Sequence, residues 1–133
     1  LKPLCGCDET TYSSLASFCQ QDYPNYQIIF GIQSPVDPSL EIVQQLVRDF
    51  PGVDIQIVFC NRTVGTNFKV NNIASAIIKA DFEILLIADS DIQVSPNYLQ
   101  QIVQPLANAQ IGVVTCPYRS VADGWITQIE ALS

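Results

Sequence analysis

The sequence predicts an α/β domain: a mostly parallel sheet with helices on both faces. Two observations carry that prediction. Strand-length apolar runs alternate with helix-length segments across short connections, the pattern of a parallel sheet wrapped by crossover helices. One run, Glu83-Ile84-Leu85-Leu86-Ile87-Ala88-Asp89-Ser90-Asp91, is almost wholly apolar and has no helical spacing until it ends in two carboxylates. That suits a strand buried on both faces. At 133 residues the chain reads as one domain, residues 1–133, large enough to bury a core.

The elements follow in order. Leu1-Lys2-Pro3-Leu4 is a strand-like stub, and a polar turn at residues 5–10 leads into a helix over residues 11–21, stopped by Asp22-Tyr23-Pro24. Residues 26–32 (YQIIFGI) form a strand rich in β-branched and aromatic side chains. A loop at Ser34-Pro35-Val36-Asp37 follows, and Asp37-Pro38 opens the next helix as N-cap and first-turn proline. Leu40, Val43, Leu46, Val47 and Phe50 give that helix an apolar stripe, which Pro51-Gly52 breaks. Residues 54–60 (DIQIVFC) are a strand, residues 61–69 a glycine-containing loop and residues 70–79 a helix. A strand over 84–88 carries the acidic pair. Ser95-Pro96 caps a helix that runs to about Leu106 and frays at Pro105. Residues 111–115 are a further strand and 123–133 a helix. The chain reads as cut at both ends, since it starts in a strand and stops within a predicted helix.

Composition narrows the function. Hydrophobic residues make up 48% and charged ones 14%, a globular balance. Net charge is −7, and the six basic residues (Lys2, Arg48, Arg62, Lys69, Lys79, Arg119) form no stripe, which argues against a nucleic-acid partner. No apolar run approaches the roughly 20 residues that span a bilayer, and no signal peptide is visible; the chain as it stands is expected to be soluble. The five cysteines are an odd set with no framework and suggest reduced thiols. Histidine is absent, which removes Ser-His and Cys-His schemes and imidazole metal ligands.

The candidate chemistry lies where strands end. Carboxylates do not belong inside a buried layer unless they are paired or bind a metal. Asp89 and Asp91 follow a central strand, at the edge where open α/β sheets bind ligands. Oxygen ligands of that kind suit Mg²⁺ or Mn²⁺, which hold substrate diphosphates through one or two carboxylates. A plain turn is the competing explanation. Asp37 is explained equally well as a helix cap. Residues 65–72 (GTNFKVNN) join a strand to a helix, where backbone N–H groups can hold phosphate and Lys69 adds a point charge; an ordinary loop with a solvated lysine is the alternative. Topology gathers Asp37, residues 65–69, Asp89-Ser90-Asp91 and Tyr118-Arg119 along one edge.

These segments together resemble the family-2-type glycosyltransferases with a glycosyltransferase-A fold, and more closely the ceramide glucosyltransferase branch and its bacterial hopanoid and lipid glycosyltransferase relatives. The resemblance is carried by Leu1-Lys2-Pro3-Leu4-Cys5-Gly6-Cys7-Asp8, Ser17-Phe18-Cys19-Gln20-Gln21-Asp22-Tyr23-Pro24, Asp37-Pro38, Gly65-Thr66-Asn67-Phe68-Lys69-Val70-Asn71-Asn72, Asp89-Ser90-Asp91-Ile92 and residues 112–119 (GVVTCPYR). It runs in register over nearly the whole chain.

The resemblance implies a Rossmann-like nucleotide-sugar-binding half. Lys2, Pro3 and Leu4 would border the nucleotide pocket, and Asp37 would lie near the base and ribose. Lys69 would face the diphosphate or sugar. Asp91 would be the metal ligand, with Asp89 nearer the ribose or sharing the metal. The donor would be UDP-glucose or similar, with Mn²⁺ or Mg²⁺, and the acceptor a lipid hydroxyl such as ceramide, with inversion. The family's general base and its Gln/Arg-x-x-Arg-Trp segment normally lie beyond residue 133. Neither Glu130 nor Trp125 replaces them. The fragment would therefore bind donor and be inactive alone. Membrane association would come through segments outside this chain, with the catalytic domain facing the cytoplasm. Two rivals stand beside this reading. One is a receiver-like Mg-binding α/β domain, although its acidic pair should follow the first strand. The other is a non-catalytic nucleotide-binding module.

Overall fold

The computed structural model describes residues 1–117 and 119; the helix expected at 123–133 lies outside them. Three strands, β1 (Lys2–Leu4), β2 (Gln27–Ile32) and β3 (Asp54–Phe59), form a sheet in the order β1-β2-β3. All pairs are parallel, with Lys2 opposite Phe30 and Gln27 opposite Asp54. Helix α1 (Thr11–Cys19) joins β1 to β2, and α2 (Ser39–Asp49) joins β2 to β3. Helix α3 (Phe68–Ala76) continues into a 3₁₀ turn (Ile77–Lys79).

The two-residue period of β2 explains the layering. Ile28, Phe30 and Ile32 join Leu15, Ala16, Phe18 and Cys19 of α1 and Val43 and Leu46 of α2 in one core cluster. Ile29 and Gly31 alternate with them and therefore point to the opposite face, where α3 packs across all three strands. Helices thus cover both faces, as the sequence predicts. Each fully buried Phe or Ile of β2 contributes about 1.5–3 kcal/mol, and no side chain from Ile28 to Ile32 is charged.

Gly31 sets the approach of α3. A Cβ at that position would lie 3.3 Å from the backbone oxygen of Asn72. The missing side chain lets helix backbone settle directly on the strand.

Three expectations are corrected. First, residues 84–88 do not form a strand buried on both faces. Leu1 N–H donates to the Leu86 carbonyl at 2.6 Å and Ala88 N–H to the Leu1 carbonyl at 3.2 Å, and there the pairing with the β1 edge stops. In this parallel register the next donor would be the nitrogen of residue 3, and proline has no N–H. Ile84, Leu85 and Ile87 are left partly exposed, and only Ala88 is buried. Second, residues 111–115 form no ladder, and Val113 is exposed.

Third, three helix starts shift, the first being α3, which begins at Phe68 rather than residue 70 and so takes Lys69 into the helix. Helix α2 begins at Ser39 with Pro38 in the cap position, one residue later than expected. The helix expected from Ser95-Pro96 begins at Tyr98 (α4, Tyr98–Val103), because the Pro96 carbonyl instead accepts from Asp22 N–H at 2.8 Å. Pro105 sits in a 3₁₀ turn (Gln104–Ala107) that ends it.

Gly31→Val is expected to destabilise the fold by about 1–3 kcal/mol through overpacking against α3. The readout is a lower denaturant midpoint at unchanged slope; an unchanged midpoint would mean that α3 is not seated on β2. Thiol chemistry offers a second check. All five cysteines are free, and Cys19 is buried while Cys5, Cys7 and Cys116 are exposed. Burial pushes the Cys19 thiol up to about 11, against a smaller opposing pull from Lys2. Alkylation of the native protein at about pH 8 should therefore label Cys5, Cys7 and Cys116 and spare Cys19, since only a thiolate reacts. Labelling of Cys19 at the same rate would contradict its placement in the core.

Candidate functional site at the carboxyl ends of the strands

The loop after β1 and the loop after β2 are tied together by Asp37. Its carboxylate accepts from Gly6 N–H at 3.2 and 3.1 Å, from Ser39 N–H at 2.9 Å and from Ser39 Oγ at 2.7 Å. Gly6 presents that N–H from a left-handed backbone, φ +71°, a conformation that favours glycine. Burial raises the Asp37 pKa, but the hydrogen bonds from Ser39 and Gly6 outweigh it and hold the carboxyl below its usual value. Asp37, one residue before the cap position, therefore bonds the first residue of α2 and braces the two loops against each other.

The loop after β3 is held by Asn71, which is buried. Its Oδ1 accepts from Val64 N–H at 2.8 Å and Gly65 N–H at 3.2 Å, and its Nδ2 donates to the Gly65 carbonyl at 3.0 Å. Asn67 caps α3 by accepting from Val70 N–H at 3.2 Å. Together they place Lys69, the second residue of the helix, where its ammonium pairs with the Asp89 carboxylate. Both side chains are partly exposed, 49% and 37%, so the pair is worth about 0.2–1 kcal/mol and can exchange partners readily.

Asp89 and Asp91 flank a turn closed by Ile92 N–H donating to the Asp89 carbonyl at 3.4 Å. The same carbonyl accepts from Lys2 Nζ at 2.7 Å. Lys2 is 2% exposed and its Nζ lies 3.7 Å from the centroid of the Phe18 ring. Burial pushes its pKa down to about 7, opposed in part by Asp89, Asp91 and Cys19. Helix α1 holds the far side of the turn. Ser14 Oγ donates to the Asp91 carbonyl at 3.4 Å, and Ser17 Oγ accepts from Val94 N–H at 3.1 Å. Gln21 donates to the Ser95 carbonyl at 2.8 Å and accepts from Leu99 N–H at 3.0 Å.

The structure thus brings Lys69, Asp89 and Asp91 into one cluster and places Asp37 among the loops that follow β1 and β2. Pro3 is half-buried in β1. Leu4 is 1% exposed and belongs to the core cluster, so its side chain cannot line an open pocket. Arg119 is exposed, and Tyr118 lies outside the described residues. Lys2, expected at the border of the pocket, is instead buried and bonds the turn from within the core, while the polar stripe Ser14, Ser17 and Gln21 is a set of partners of the turn that sequence reasoning missed. The signal for that stripe was polar residues spaced three and four positions apart along, and just past, a helix of otherwise apolar buried face.

Among the described residues, no group of three or more His, Cys, Asp or Glu side chains gathers to hold a metal ion. Two carboxylates on one turn nevertheless match a cation that takes one or two protein oxygens and completes its shell with water and substrate phosphate. The Asp91 carboxylate is exposed, and among the described residues it makes no ion pair. A separate cleft of about 730 Å³ lies at the amino ends of the strands, between Tyr23, Asp49, Val53, Asp54 and Phe82. Its lining includes no basic residue for a phosphate.

Comparison with known proteins bears on the fold and the family. The model of glycosyl transferase family 21 matches residues 1–133. Ceramide glucosyltransferase 3 of Caenorhabditis elegans is 30% identical over 134 residues, covering 99% of this chain and 29% of that protein. The ceramide glucosyltransferase of Candida albicans is 37% identical over 116 residues, covering 77% of this chain and 21% of its own length. The chain therefore spans under a third of the relatives it matches. Among solved structures, S. aureus TarS 1-349 in complex with UDP superposes with a TM-score of 0.64 at 16% identity, over 90% of this chain and 37% of that one. That likeness establishes a shared glycosyltransferase-A fold. By the match of its whole length to the family model, the chain belongs to glycosyl transferase family 21.

Proposed function

We propose that residues 1–133 form the nucleotide-sugar-binding part of a metal-dependent, inverting hexosyltransferase that moves glucose from UDP-glucose to a lipid hydroxyl such as ceramide. The observation that carries this reading is the meeting of Lys69 with Asp89 on the turn that also bears Asp91, at the edge of a parallel sheet where such folds bind ligands. Support comes from the relatives, which are ceramide glucosyltransferases, and from the TarS structure with UDP.

The chemistry is a displacement at the sugar's anomeric carbon. The bond from that carbon to the diphosphate oxygen breaks, and a bond to the acceptor oxygen forms on the opposite face. The acceptor proton passes to a carboxylate supplied outside residues 1–133. Negative charge gathers on the leaving diphosphate. Asp91 and Asp89 would hold the divalent cation, Mn²⁺ or Mg²⁺, which supplies charge stabilisation when bound. Lys69 would release Asp89 and take a phosphate oxygen, an exchange that its weak, partly exposed ion pair permits. Pro3 and Asp37 would border the nucleotide. In this reading the 133-residue chain binds donor without transferring it. No helix among the described residues is long and apolar enough to cross a membrane, so membrane attachment, with this domain on the cytoplasmic side, is assigned to segments outside the chain.

Calorimetric titration of UDP and UDP-glucose tests this directly. Binding is expected in Mn²⁺ and lost in EDTA. Asp91→Asn should abolish the metal-dependent part without lowering the melting temperature, because its carboxylate supports no packing. Equal binding by wild type and Asp91→Asn would refute the metal assignment. Lys69→Ala should weaken UDP by about tenfold or more, the worth of a charge-assisted hydrogen bond of 1.5–3 kcal/mol. A change of less than about twofold would remove Lys69 from the diphosphate site.

A further inference from the structure

Lys2 is buried in a way that packing does not require. Lysine is almost never fully buried unless it is paired, and the ion pair formed among the described residues joins Lys69 to Asp89 rather than Lys2 to a carboxylate. An apolar side chain would fill the space beside Phe18 without the penalty of burying an ammonium. The group is used on a carbonyl instead: Nζ lies 2.7 Å from the Asp89 oxygen, with the Phe18 ring beneath it.

That oxygen sits where the backbone pairing gives out. Residues 86 and 88 are bonded to Leu1, and Pro3 has no N–H to extend the register to the next residues. The acidic turn would then leave the sheet edge unsupported on that side. On its other side Ser14 and Ser17 of α1 bond the Asp91 carbonyl and Val94 N–H. Lys2 supplies from a side chain a bond to the Asp89 carbonyl, one residue past the Ala88 carbonyl that a donor at position 3 would have reached.

We propose that Lys2 is a positioning residue for the donor site: by anchoring the Asp89 carbonyl from within the core, it fixes the turn that aims the Asp89 and Asp91 carboxylates. Its effect on donor binding rests on the function proposed above; its effect on the turn does not. The contact constrains backbone rather than carboxylate, so the carboxylate oxygens of Asp89 stay available to Lys69 or a cation.

The test compares the wild-type chain, Lys2→Met and Asp91→Asn by thermal melting, amide hydrogen exchange and calorimetry with UDP and Mn²⁺. Lys2→Met keeps the length of the side chain and removes the donor. It is expected to melt no lower than wild type and to show faster exchange confined to residues 89–92. UDP affinity in Mn²⁺ is expected to weaken by about tenfold, the scale typical of residues that orient metal ligands. Unchanged exchange at 89–92 would overturn the proposal. So would faster exchange spread across the whole chain, which marks a general loss of stability. If wild type and Asp91→Asn bind UDP alike, the donor-site reading fails and local exchange still decides the role of Lys2. Should Lys2→Met not fold, Lys2→Gln retains an N–H donor and is expected to show intermediate protection at 89–92; wild-type or absent local protection there would count against the anchor.

Discussion

Everything in this domain follows from covering β2 on both faces. Its side chains at Ile28, Phe30 and Ile32 enter the core made by α1 and α2, and the opposite face is so closely covered at Gly31 that an added Cβ would meet Asn72 backbone. A strand enclosed in this way has no place for ionic chemistry along its length. Polar chemistry is displaced to the loops beyond the strands' carboxyl ends. The close seat of α3 also governs the site, because Lys69 lies in the first turn of that helix and its reach to Asp89 depends on where the helix rests.

The acidic turn is held by a different means. A ladder strand would have fixed Asp89 and Asp91 through repeated backbone bonds, but proline at position 3 ends the register. Individual side chains take over: Lys2 on the entry side, Ser14 and Ser17 on the exit side, and Gln21 farther along. Each is buried, and a buried polar group left without a partner is costly. Those bonds therefore specify one arrangement of the turn. The ion pair between Lys69 and Asp89 is of the opposite kind, exposed and weak, which suits a group that must change partners when an anionic ligand arrives.

Much of this was legible in the sequence where the signal is local. The strands at Gln27–Ile32 and Asp54–Phe59 and the helix at Ser39–Asp49 fall within a residue or two of their expected bounds, because β-branched runs, an apolar stripe and a proline-glycine break all act within a few residues. Strand and helix alternation anticipated that residues 65–69 and 89–91 gather along one edge, but not the ion pair between Lys69 and Asp89. The run at 84–88 was misread, since an apolar strand-length segment says nothing about whether its neighbour can donate hydrogen bonds. Leu4 was placed beside a ligand and lies in the core, because its neighbours in sequence do not reveal which way a three-residue strand faces.

By itself the sequence determined the layered α/β fold, the parallel sense of its sheet and the family, all of which rest on periodicity, turn chemistry and motifs in fixed order. The tertiary structure alone decided how the candidate site is held. Lys2 and Asp89 are 87 residues apart in the chain, and Ser14 and Asp91 are 77 apart. No local pattern encodes a bond between a buried ammonium and a distant carbonyl; it exists only once the core has brought β1 and the acidic turn side by side.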